Sequence, residues 1–221
     1  MDWEALSLSL RLAVATLLVL LPPGIWFGRW LARADFRGKA WVEAMVVLPL
    51  VLPPTVLGYY LLVYLGATSP VGSFAERVLG MPLTFNFTGL VIASVVFNIP
   101  FVVQPAQRAF EAIPPQLRQA AHVCGLSSMQ AFRRVELPLA WPGLVSAAVL
   151  TFVHTLGEFG VVLMMGGNIP GETRTVAVAI YDRVQAFDFA GADRMSLLLL
   201  LLSLGAVAAS FVVSARWTVR R

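Results

Sequence analysis

The chain has 221 residues, 58% hydrophobic and 13% charged, against about 25% charged in soluble domains. That much apolar surface cannot be hidden in one soluble core, which excludes a water-soluble globular domain and makes the bilayer the solvent. The formal charge of +4 would suit a nucleic-acid partner, but its distribution along the chain makes the basic bias a topology signal and not a nucleic-acid footprint.

Five segments are long and apolar enough to span a hydrocarbon core, which takes about 20 residues. They run near 7–28, 41–65, 88–108, 142–165 and 195–215, with membrane lipid as their surroundings, and the whole chain 1–221 reads as a single transmembrane domain. The first is read as a retained membrane helix. Ala32-Arg33-Ala34 imitates a cleavage site, but Met1-Asp2-Trp3-Glu4 lacks the basic start of a signal peptide. Prolines interrupt the spans: Pro22-Pro23 break the first, Pro49 and Pro53-Pro54 the second, Pro100 and Pro105 the third. Each removes a backbone donor and crowds the preceding turn, and in lipid the freed carbonyls must be met by protein or cavity water. The spans therefore pack as an all-α bundle, with the prolines read either as simple kinks or as gating points.

Lysine and arginine set the topology. Arg29, Arg33, Arg37 and Lys39 follow the first span, Arg108, Arg118, Arg133 and Arg134 the third, and Arg216, Arg220 and Arg221 the fifth: eleven of sixteen basic residues on one side. That side is expected to be cytoplasmic, with the N-terminus outside and the C-terminus inside. The single cysteine, Cys124, excludes an internal disulfide and any multi-cysteine metal site.

Between the third and fourth spans lies a polar interruption, 114–138. Pro114-Pro115 suit a helix start, Gln116 to Cys124 form a short helix, Gly125 suits the left-handed residue that ends it, and Ser127 caps a second helix, Ser128 to Glu136. Pro138 is expected to stop that second helix and begin the next span. Small Ala120 and Ala121 allow a partner to approach, while Phe132 and Val135 supply apolar anchors. Two short helices about a sharp turn make a compact knob able to seat in a partner's groove.

The run Gln119-Ala120-Ala121, three residues, Gly125, nine residues, Val135-x-Leu137-Pro138 resembles the coupling loop of ABC-importer permeases, in which Glu and Ile stand where Gln119 and Val135 stand here. Further likeness covers nearly the whole chain and is strongest to molybdate-importer permeases, with sulfate and tungstate permeases as relatives. It is carried by Phe36-Arg37-Gly38-Lys39, Leu48 to Pro54, Leu156-Gly157-Glu158-Phe159-Gly160 and Asn168 to Thr175. The resemblance implies the type I importer permease fold and a homodimer in the bacterial inner membrane. It also implies two ABC ATPase subunits that bind ATP and Mg, and an extracytoplasmic molybdate-binding protein. The residues implied to seat the ATPase are Gln119, Ala120, Ala121, Gly125, Val135, Leu137 and Pro138.

The candidate path residues are Asn98, Thr151, Thr155 and Glu158. Hydroxyls and an amide can donate to an oxyanion without adding charge. An ionisable residue within a span is a functional hypothesis by default, but a negative Glu158 is a poor neighbour for a dianion, so it is expected to bond within the protein. His154 and Glu158, four residues apart, are expected to share a helix face. The outer segment 166–193 is read as a docking surface, a pore-mouth element or a solvated connection. Against an intramembrane enzyme, His122 and His154 lie on different segments, no Gly-x-Ser-x-Gly occurs, and no phosphate-binding Gly-x4-Gly-Lys-Ser/Thr occurs. No catalytic residue, metal site or cofactor of its own is expected.

Overall fold

The computed structural model describes residues 1–219, with side chains described to Ala215; the side chains of Arg216, Arg220 and Arg221, used above for topology, lie outside the described residues. Helix α1 (Trp3–Arg33) opens on Asp2, whose carboxylate accepts from the Ala5 N–H at 3.0 Å, satisfying one of the orphan donors of a first turn. It runs unbroken through Pro22 and Pro23. Helix α5 (Phe87–Glu111) likewise runs through Pro100 and Pro105. The expected breaks in the first and third spans are thus corrected. The reason is packing: α1 and α5 lie against each other along their length, and neighbours hold both sides of each proline in helical register. Gly24 and Gly28 make that approach possible, since a Cβ at Gly28 would lie 2.9 Å from the Val103 carbonyl oxygen.

The second span is the opposite case. It consists of α2 (Lys39–Val51) and α3 (Pro54–Leu65), bent by 105° at the break, so 41–65 is not one continuous helix. Leu52 and Pro53 are extended, with ψ of 138° and 133°, the conformation a following proline favours. Pro54 then starts α3 at the position where its missing N–H is harmless. A short amphipathic helix α4 (Pro70–Leu79) follows, capped by Ser69 through the Gly72 N–H at 2.8 Å.

After α5 come α6 (Pro115–Val123), α7 (Ser128–Ala131), a π-helical turn (Phe132–Glu136) and α8 (Leu137–Gly157). The last three form one helical run, Ser128–Gly157. Pro138 therefore does not stop a helix, contrary to expectation. The wide turn before it relaxes the backbone where the proline ring would otherwise crowd the preceding carbonyls. The fourth span also ends earlier than the expected 165. Residues Gly160–Gly166 form a separate helix, α9, packed on α3 and α5. The outer segment contains α10 (Val176–Gln185), with Val176, Val178 and Ala179 buried, so it is not merely a solvated connection. Finally α11 (Phe189–Val219) begins before the expected 195; Asp188 accepts from the Gly191 N–H at 2.9 Å.

Among the described residues, four helices are long and apolar enough to cross a membrane, and five if the bent pair counts as one span. The centre of the bundle is α1, α5 and α8. Helix α11 packs on α8 and α10 and leaves Leu197, Leu200, Leu201, Leu204 and Phe211 exposed, the surface expected of a lipid-facing helix.

Candidate functional site

The polar interruption folds as a helix–turn–helix. Pro114 is extended and Pro115 opens α6. The helix ends with the Cys124 N–H donating to Ala120 O at 2.9 Å and the Leu126 N–H donating to Ala121 O at 3.0 Å, across Gly125 at φ +78°. That left-handed conformation is the one the sequence position called for, because a Cβ is disfavoured there. Ser127 then makes a capping box: its hydroxyl accepts from the Gln130 N–H at 3.3 Å and its N–H donates to Gln130 Oε1 at 2.8 Å.

The seven candidate coupling residues divide between two places. Gln119, Ala120 and Gly125 are exposed on the knob, and Ala121 is buried beneath it. Val135, Leu137 and Pro138 are half-buried at the knob's root, where the π turn enters α8.

What fixes that root to the bundle is a side chain the sequence reading did not single out. Glu136, 2% exposed, accepts from Arg29 Nε at 2.7 Å and pairs with Arg33. The Arg29 guanidinium lies 4.7 Å from the Phe132 ring centroid and 5.3 Å from that of Trp26, a cation–π arrangement on both. Phe132 packs with Phe110, Ile113, Ala106, Ala140 and Leu144 in one apolar cluster. The two ion pairs of buried Glu136 and one buried aromatic thus lock the knob's root to the ends of α1, α5 and α8. A signal was present: Glu136 is the only acid in 114–138, and Arg29 and Arg33 are spaced four apart on one helix.

Three of the four candidate path residues, Asn98, Thr151 and Thr155, fall in a buried polar seam between α1, α5 and α8. Thr16 Oγ1 donates to Ser94 Oγ at 2.9 Å, and Asn98 Nδ2 donates to Ser94 O at 2.8 Å and Thr155 Oγ1 at 3.2 Å. The Thr155 hydroxyl donates to Thr151 O at 2.8 Å, and His154 Nδ1 bonds Asn98 Oδ1 at 3.1 Å. The His154 ring sits between Phe97 and Phe101, with centroids at 4.8 and 3.9 Å. Asn98, Thr151 and Thr155 are each at most 1% exposed, so in the single chain they face one another rather than an open surface. Thr151 Oγ1 has no hydrogen-bond partner among the described residues. Glu158 stands apart. Helix α8 ends at Gly157, so His154 and Glu158 do not share a helical face, and the Glu158 carboxylate accepts from the Val161 N–H at 2.8 Å, capping α9.

On the far side of the bundle the loop before α10 is tied down: Arg174 Nε donates to Asn168 Oδ1 at 2.7 Å, Asn168 Nδ2 to Asp182 Oδ2 at 2.7 Å, and Thr173 Oγ1 to Gly166 O at 2.7 Å. Among the described residues no group of three or more His, Cys, Asp or Glu is placed to hold a metal ion.

Comparison with known proteins is consistent along the chain. Residues 24–221 match the family model described as binding-protein-dependent transport system inner membrane component. The molybdenum transport system permease protein ModB of Azotobacter vinelandii is 50% identical over 191 residues, covering 86% of this chain and 84% of that protein. The protein of that name from Escherichia coli K12 is 36% identical over 219 residues, covering 99% and 94%. In fold, the chain superposes with TM-score 0.77 and 18% identity on a chain of a bacterial ABC transporter involved in the import of the acidic polysaccharide alginate, covering 96% of this chain and 78% of that one.

Proposed function

The chain belongs to the family of binding-protein-dependent transport system inner membrane components, and we propose that within it this chain is the permease of an ATP-driven molybdate importer. Two copies surround a central path in the inner membrane, N-terminus outside and C-terminus in the cytoplasm. Each copy seats its knob, at Gln119, Ala120, Ala121 and Gly125, in one ATPase subunit; Val135, Leu137 and Pro138 carry the motion into α8. ATP and Mg belong to the ATPase, and an extracytoplasmic binding protein delivers the anion.

The observation that carries this reading is the clamped knob. Closure of two ATPases on ATP would pull the knobs together. Because Phe132 and the Glu136–Arg29 pair at 2.7 Å fix the root to the bundle, that pull rotates helices instead of bending a loose loop. The seam of Asn98, Thr151 and Thr155 lies where α1, α5 and α8 must shift past one another. Its hydroxyls and amide can present donors to an oxyanion as the helices part. Glu158, engaged as a helix cap, has a structural part in this scheme. Fifty per cent identity to a molybdenum permease supports molybdate as cargo.

The test is uptake of molybdate into proteoliposomes holding the chain, its ATPase and its binding protein, with tungstate and sulfate as competitors. ATP-dependent uptake displaced by tungstate alone is the expected result. Displacement by sulfate would make the protein a general oxyanion importer, and absence of uptake with the ATPase still bound would remove molybdate as cargo.

A further inference from the structure

Between the end of α1 and the side of α6 lies a cavity of about 230 Å³, lined by Arg29, Arg33, Arg118, Gln119, His122 and Glu136 among others. Its charges do not balance. Three guanidinium groups face one carboxylate, and that carboxylate is already taken by Arg29 and Arg33. Arg118 has no ion-pair partner among the described residues, and it lines the same recess as Arg33. A polar recess holding uncompensated positive charge, with amide and imidazole nitrogens beside it, favours an anion.

Its depth adds a second constraint. Trp26 and Trp30 on the last turns of α1, Phe36 in the connection that follows and Trp41 at the start of α2 are all exposed. Such a belt of exposed aromatics marks the level of the lipid headgroups, where basic pockets between helices take phosphate groups. Helix α6 is attached chiefly through α7 and the π turn, so an anion bridging Arg118 to Arg33 would tie the coupling helix directly to α1.

We infer that this cavity is a binding site for a tetrahedral oxyanion of the phosphate class, which fastens α6 to the end of α1. Two sources offer that chemistry, the phosphate of an anionic phospholipid headgroup and a free oxyanion such as phosphate or molybdate. The cytoplasmic placement of the cavity rests on the transport reading; binding itself is read on the purified chain, without transport, so the two can fail separately.

Two arms distinguish the sources. In lipid-free micelles the full chain is titrated with inorganic phosphate and with molybdate, read by calorimetry. In nanodiscs of phosphatidylcholine with or without phosphatidylglycerol, retained lipid is read by native mass spectrometry. Saturable binding is expected in at least one arm, weakened about tenfold by Arg118→Gln, as for loss of one charge-assisted contact. His122→Gln is the second variant should Arg118→Gln fold poorly. Retained phosphatidylglycerol identifies a headgroup site, and binding of the free anions a soluble-oxyanion site. Binding in neither arm, or binding equal in wild type and variants, overturns the inference; it would leave the recess to an acidic side chain of a partner protein.

Discussion

Glu136 sits 2% exposed between the guanidinium groups of Arg29 and Arg33, and its worth lies in what its removal would strand. A buried pair gains little over an apolar replacement, yet taking away one partner leaves charge uncompensated. Glu136→Ala is therefore expected to destabilise the chain by about 3 kcal/mol, with Glu136→Gln milder because an acceptor for Arg29 remains. Thermal or denaturant unfolding in detergent checks the order of the two. Glu158 shows a carboxylate used differently, as the acceptor for the Val161 N–H at 2.8 Å. Glu158→Gln keeps an acceptor there and loses the charge that favours a helix start. The expected outcome is slower uptake with the molybdate-to-sulfate preference unchanged; a changed preference would put Glu158 in the path. Both residues were visible in the sequence. Only Glu158 stood out, since it interrupts an apolar run, whereas Glu136 lies among arginines and looks solvated until the tertiary contact buries it.

At the scale of elements, the prolines separate what local sequence decides from what it leaves open. Pro53-Pro54 divide α2 from α3 by a 105° bend, while Pro22-Pro23 and Pro100 leave α1 and α5 continuous. The local penalty is similar, but α1 and α5 are gripped by each other on both sides of their prolines and α3 turns away to pack on α9. The grip depends on close approach. A Cβ at Gly28 would meet the Val103 carbonyl oxygen at 2.9 Å and the Gln107 nitrogen at 3.0 Å, backbone atoms that cannot swing aside, whereas Gly205 has nothing within 4 Å. Gly28→Ala should cost about 1–3 kcal/mol, and Gly205→Ala should be neutral or stabilise by about 0.5 kcal/mol; paired unfolding measurements decide it. The knob supplies a third element-scale test. Nothing lies within 4 Å of a Cβ at Gly125, so substitution strains the φ +78° turn and adds bulk only on the outward side. Gly125→Asp is expected to leave the bundle folded while ATPase association, followed by co-purification, is lost. Wild-type association and uptake in that variant would sink the coupling assignment.

At the scale of the molecule, the buried polar seam in the middle of the bundle is made of hydroxyls and an amide, with His154 as its ionisable member among the described residues. Ion-coupled carriers place several ionisable groups at that depth. Uptake should accordingly survive collapse of the proton and sodium gradients and vanish without ATP or the ATPase; the reverse pattern would make the chain a secondary carrier. Four long apolar spans in their order and the knob's turn at Gly125 were legible in the sequence, because each depends on composition or spacing within a short window, and the family was legible through its resemblance to known permeases. About 20 apolar residues must cross a hydrocarbon core, and a left-handed turn asks for glycine wherever it occurs. Tertiary structure alone decided which prolines bend the chain, that Ser128–Gly157 is one helical run through Pro138, that Asn98, Thr151 and Thr155 are inside the bundle, and that Glu136 reaches Arg29 across 107 positions. Those outcomes turn on which surfaces meet. A residue's own window fixes its preferred conformation, but the partner that buries or pairs it comes from elsewhere in the chain.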